Sequence, residues 1–177
     1  MAFKEYILES MIRDLNVCQH LYEKIPADSM DKRPREGMRS TRELLQYLAF
    51  IGGASVQTYV NGGWAKEENI ARMKAEREST NKLDPHDFVA ALEADKNKIT
   101  NLLTHLTDED LLTMETTHPW GQKVMLIEAL LNNSLKYLAA YRLQLFMYAK
   151  MWGAEINTAN AWRGVDSKPK PVAEAVK

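Results

Sequence analysis

The 177-residue chain is 45% hydrophobic and 27% charged, with a formal net charge of −1. That is the profile of an ordinary globular protein, long enough to bury a core without staples. Lys and Arg are balanced by Asp and Glu, so there is no basic field to neutralise phosphates or anionic lipid, which argues against nucleic-acid and membrane roles.

From Phe3 to Ile25, the apolar residues Leu8, Met11, Leu15, Cys18, Tyr22 and Ile25 recur at steps of three and four, which predicts a first helix ended by Pro26. Cys18, the single cysteine, sits in that seam. It reads as a buried apolar filler rather than a reactive thiol, and it excludes an internal disulfide framework. With no apolar run of bilayer length and no apolar signal region in MAFKEYILES, a cytoplasmic location is expected.

A polar loop, Asp31 to Arg39, leads to the capping box Ser40-Thr41-Arg42-Glu43. The second helix runs from there to about Tyr59, with Leu44, Tyr47, Ile51, Ala54 and Thr58 facing inward. Gly52 and Gly53 inside it suggest a kink or a close helix approach. Asn61, Gly62 and Gly63 stop it. The segment Ala65 to Arg77 is charged nearly all round and predicts a short exposed helix, anchored by Ile70 and Met73, within a long crossover. A crossover of that length lets the second and third helices run parallel.

Asp84 and Pro85 open the third helix, which reaches about Leu106 with Phe88, Leu92, Ile99, Leu102 and Leu106 in its stripe. Asp95 takes the one polar step. It is expected to lie at the stripe's edge and reach water, and the functional reading keeps it as a site candidate. Thr107 to Asp110 caps a single turn, and Thr116 to Gly121 reads as a loop. A fourth helix from Lys123 to Trp152 carries the seam Ile127, Leu131, Ser134, Leu138, Tyr141, Leu145, Tyr148 and Trp152. After Gly153 the chain reads as irregular, with a disordered tail over 166–177. There is no strand signal. The expected architecture is all-α, a four-helix bundle with one long crossover, in a single domain spanning 1–165.

No phosphate loop, paired-cysteine motif or HExxH motif is present. His20, His86, His105 and His118 share no helical face at ligand spacing. His105 is expected to serve a helix end, and His20 to pair with Glu23. The chemistry is concentrated in tyrosines. Tyr137 and Tyr141 stand one turn apart on one helix face, with Asn133 and Gln144 extending the stripe, and Tyr47 can face them from the second helix. A buried phenol needs a hydrogen-bond partner, so three of them imply a polar network or a pocket for water or a small-molecule ligand. The alternative is aromatic core filler with hydroxyls at the bundle rim.

The segments KRPREGMRSTRELLQYLA, WGQKVMLIEALLNN, YLAAYRLQL and KMWGAEINTANAWRG resemble the DinB/YfiT-like superfamily of metal-dependent four-helix bundles. In that family a histidine on the second helix and two in a His-x-x-x-His-Arg-Gly-Gln-Leu motif hold a divalent metal, which some members use to activate a thiol or water. The matching positions here are Tyr47, Tyr137 and Tyr141. A phenol must lose a proton near pH 10 to ligate well, and three such losses would leave the site negatively charged. The resemblance therefore implies the fold and a homodimer, with the metal site lost and no cofactor expected. Two other readings compete: a thiol-dependent S-transferase using phenols as acids, and a protein-interaction module built on the charged crossover, Trp64 and Trp162.

Overall fold

Apolar spacing and end signals place most of the helices. The computed structural model describes residues 2–167. In order come α1 (Phe3–Tyr22), α2 (Thr41–Val60), α3 (Glu67–Thr80), α4 (Phe88–Thr104) and a short α5 (Asp108–Thr113). A hairpin follows, β1 (Glu115–Thr117) with β2 (Lys123–Met125), and then a broken helix of α6 (Leu126–Ala129), a π turn (Leu130–Leu135) and α7 (Lys136–Met151). The last element is α8 (Thr158–Arg163). Among the described residues no helix is long and apolar enough to cross a membrane.

The bundle is built from α1, α2, α4 and α7, and both α1 and α2 pack against α4 and α7. Gln46 donates to the Leu83 carbonyl and the Gly53 amide to Asp95, so positions climb together and α2 runs parallel to α4. That is the direction the long crossover permits. Ser55 meets Ser134 and Thr41 meets Trp152, which makes α2 and α7 antiparallel. The start of α2 is the expected capping box: the Glu43 amide donates to Ser40 Oγ at 3.2 Å and the Ser40 amide to Glu43 Oε2 at 2.8 Å.

Gly52 and Gly53 mark a close approach. A Cβ on Gly52 would stand 2.6 Å from Asp95 Oδ2, and one on Gly53 2.5 Å from Asp95 Oδ1. The carboxylate occupies that space and accepts the Gly53 amide through both oxygens, at 2.9 and 3.0 Å. Asp95 is thus buried, 4% exposed, and does not reach water at the stripe's edge as expected.

Several other expectations give way for local reasons. The chain from Glu115 to Met125 forms an antiparallel hairpin with Thr116 opposite Val124. The Trp64 amide donates to the Thr117 carbonyl and the Thr116 hydroxyl to the Tyr59 carbonyl, so the strands are held by the end of α2 rather than by strand propensity. The expected single fourth helix is interrupted because the π turn takes one extra residue into the helix. Upstream of it the seam moves back by one: Leu126 and Leu130 are fully buried, whereas Leu131 is 40% exposed. Ile70 is exposed and does not anchor α3; Asn69 is buried instead, donating to the Thr58 and Gly63 carbonyls around the end of α2.

Past Gly153 the chain is helical again in α8, where Asn157 accepts the Ala159 amide as a cap. Of the tail expected from Asp166, residues 168–177 lie outside the described residues. Asp166 itself accepts from Lys24 at 2.7 Å and from Asn160 at 2.9 Å. His20 faces Asn160 and Asp166 rather than Glu23. His105 Nδ1 meets the Asn101 carbonyl at the end of α4, as expected of it. Cys18 is fully buried, and burial pushes its thiol far up, in keeping with a filler.

Replacing Gly53 with Ala improves helix propensity by about 1 kcal/mol but drives a methyl into Asp95. With an overpacking cost on the order of 1–3 kcal/mol, the expected outcome is a net loss of up to about 2 kcal/mol in urea unfolding; a higher midpoint would show that the close approach constrains nothing.

Candidate functional site

Because α2 and α7 run antiparallel, Tyr47 and Tyr141 arrive at the same level from opposite sides. Their ring centroids lie 4.7 Å apart at 57°. Tyr47 also meets Phe50 edge-on at 5.6 Å. Tyr137, one turn along α7, packs with Tyr47 and Trp64 against a small buried group of Phe50, Ile51, Ala54 and Met73. The structure therefore brings Tyr47, Tyr137 and Tyr141 together. Beyond each other, their hydroxyls have no hydrogen-bond partner among the described residues. The buried Trp64 indole N–H packs on the same apolar group and makes no hydrogen bond of full geometry among the described residues; the phenol it acts on is that of Tyr59.

Burial, and then the neighbouring Tyr141, push the Tyr47 phenol well above its ordinary value, with Arg39 offsetting a little. Burial likewise raises Tyr137. Both phenols are therefore neutral hydrogen-bond donors at physiological pH.

One neighbour escaped sequence reasoning. The Arg39 guanidinium lies 4.2 Å over the Tyr47 ring and 5.5 Å from the Tyr141 centroid. Its backbone is braced: the Tyr148 hydroxyl donates to the Arg39 carbonyl at 2.9 Å, and Gln144 donates to that hydroxyl at 3.0 Å. Gln144 thus acts as a brace behind the site, through Tyr148. Arg33 holds the same loop to α2 by donating to both Glu43 oxygens. Tyr47, though neither Tyr137 nor Tyr141, also lines a cavity of about 420 Å³ together with Arg39, Glu43, Gln46, Arg77 and Asn81.

Asn133 belongs to a neighbouring polar cluster. Its Nδ2 donates to the Tyr59 hydroxyl at 2.8 Å and faces His118 Nδ1 at 2.7 Å, all three side chains being buried. Donation to Nδ1 requires a neutral imidazole with its proton on Nε2. Burial pushes the Tyr59 phenol up to about 12, against the opposing pull of Trp64 and Asn133. Neither Tyr59 nor His118 stood out in the sequence, because the hairpin that seats His118 forms only against the end of α2.

Asp95 lies apart from the tyrosines. Gly52 and Gly53 stand about 140° and 240° round α2 from Tyr47, so the carboxylate contacts the opposite side of the helix. Burial raises its pKa to about 7, with the Gly53 amide and Lys98 opposing. A further buried ion pair, Arg142 with Asp14 at 3.4 Å, joins α7 to α1 and had no signal beyond the residue types.

The tyrosines do not fit the divalent metal that the resemblance implies for their positions. Burial holds Tyr47 and Tyr137 in the protonated form, and a phenol must ionise to bind such an ion well. Among the described residues no group of three or more His, Cys, Asp or Glu is placed to hold a metal ion.

No sequence-family model and no curated protein matches the chain. Solved structures do. A proposed member of the DinB family from Exiguobacterium sibiricum 255-15 superposes with a TM-score of 0.71 at 20% identity, over 90% of this chain and 98% of that one. A DinB-like protein from Bacillus subtilis gives 0.65 at 20% identity, over 85% and 94%. The chain thus has the DinB-like all-α fold.

The Asp95 carboxyl titrates at about 7 when folded, against 3.8 as its ordinary value. Between those values the native state binds the extra proton, so its stability is greatest below the lower value and declines as pH rises through the upper one. Urea midpoints are expected to fall between about pH 5 and about pH 8 by the equivalent of 1–3 kcal/mol, and Asp95→Asn to flatten that fall. Equal pH slopes in the two proteins would contradict the assignment.

Proposed function

We propose that this protein, a DinB-like bundle with phenols at the metal-ligand positions, binds a small organic molecule in the tyrosine-lined pocket and does so without a metal. The carrying observation is a set of donors gathered in one place: the half-buried side chains of Tyr47, Tyr137 and Tyr141 lie together, and their hydroxyls have no hydrogen-bond partners other than each other among the described residues. Half-buried hydroxyls without a protein partner bond to water, which a ligand carrying acceptor atoms can displace. The adjoining cavity, at about 420 Å³, is of a size that holds small ligands. The reducing interior implied by a lone buried thiol makes the cytoplasm the natural setting.

The same reading includes a homodimer. On the outer side of α7, Leu143, Met147 and Met151 form a stripe at four-residue spacing, each about half exposed, with Trp162 of α8 also exposed. A second copy of the chain would cover it.

A fragment screen by ligand-observed NMR tests the pocket. Hits are expected to weaken about tenfold in Tyr47→Phe with Tyr141→Phe, which removes two donors and keeps the rings. Elemental mass spectrometry of protein purified without chelator is expected to find transition metal far below one per chain. A stoichiometric metal would overturn the metal-free reading. For the dimer, Leu143→Glu combined with Met147→Glu is expected to halve the mass in light scattering; an unchanged mass would place the interface elsewhere.

A further inference from the structure

We propose that the pocket takes its ligand by a negatively charged end, a carboxylate or phosphate group held between Arg39 and Arg77; this rests on the tyrosine pocket being a binding site. The two arginines line the same cavity from different elements, Arg39 at the entry to α2 and Arg77 in the last turn of α3. Among the described residues neither guanidinium has a carboxylate partner, although Arg33, Arg42 and Arg72 close by each engage one. The one acid in the lining, Glu43, is already spent: Arg33 holds both its oxygens, and the Ser40 amide donates to one of them. The lining therefore carries uncompensated positive charge.

The presentation of Arg39 suits an anion. Its guanidinium carbon sits 4.2 Å over the Tyr47 ring, a contact that uses none of its N–H groups and leaves them for a two-pronged hydrogen bond to a carboxylate or phosphate. The ring also shields one face from water, which strengthens an ionic hydrogen bond at the other edge. The backbones that carry the two arginines are tied together, because Gln46 of α2 donates to the Asn81 and Leu83 carbonyls just beyond α3. Tyr148 fixes the Arg39 backbone in turn. The neutral phenol of Tyr47 adds a donor in the same lining.

The test uses the full chain and three probes of one shape: phenylacetate, phenyl phosphate and the uncharged phenylacetamide, titrated by ligand-observed NMR at constant ionic strength. At least one anion is expected to bind about tenfold tighter than the amide, and the ratio of the two anions tells carboxylate from phosphate. Arg77→Gln, at an exposed position where folding is not at stake, and Arg39→Gln are each expected to weaken the anions about tenfold while leaving the amide unchanged. An amide that binds as tightly as the anions, or anion binding indifferent to both substitutions, overturns the inference and leaves the pocket reading standing. If none of the three probes binds, the pocket reading falls with it.

Discussion

Helix α2 can be buried on nearly every side only because two glycines let α4 come within reach of its backbone. The Asp95 carboxylate fills the place of the missing side chains and hydrogen-bonds the Gly53 amide. With that side occupied, the opposite side of α2 is left to carry Tyr47 toward α7 and the crossover helix. A bulkier pair at 52 and 53 would push α4 outward and change the level at which Tyr47 meets Tyr141. The cost is a buried acid that is better tolerated protonated than charged.

The candidate site is held by polar braces more than by apolar packing. Arg33 on Glu43, Tyr148 on the Arg39 carbonyl, and Gln46 on the turn after α3 fix three separate chain segments around one cavity. Such bonds set positions to within a few tenths of an ångström, as a recognition site requires. Neutral imidazoles present lone pairs to a cation; buried phenols present protons to an acceptor. Beside them Arg39 adds a positive charge that has no carboxylate partner within salt-bridge distance among the described residues.

What the sequence made legible follows from local rules. The Ser40 capping box, the parallel course of α2 and α4, the glycine pair as a close approach, and the meeting of Tyr47, Tyr137 and Tyr141 can all be read from spacing or resemblance. What was not legible depends on contacts distant in sequence. The hairpin has little strand propensity of its own and is held by Tyr59 and Trp64, more than fifty residues earlier. Arg39 lies in a polar loop whose course is set by Tyr148, at the far end of the chain. Asp95 was misplaced because a stripe pattern cannot reveal that the facing helix lacks side chains there. Asn133 and Gln144 share a face with the tyrosines, yet one bonds to the Tyr59–His118 pair and the other acts through Tyr148.

The π turn at Leu130–Leu135 works as an offset in the winding of the chain. An inserted residue rotates all that precedes it by about 100° relative to α7. That rotation turns Leu126 and Leu130 inward, brings Asn133 to Tyr59, and swings the hairpin with His118 onto the end of α2. The tyrosine pair on α7 lies beyond the offset and keeps its own register. The polar cluster around His118 and the aromatic pair around Tyr141 are thus set on one helix by independent registers, so a change in the number of residues here could re-aim one group while sparing the other.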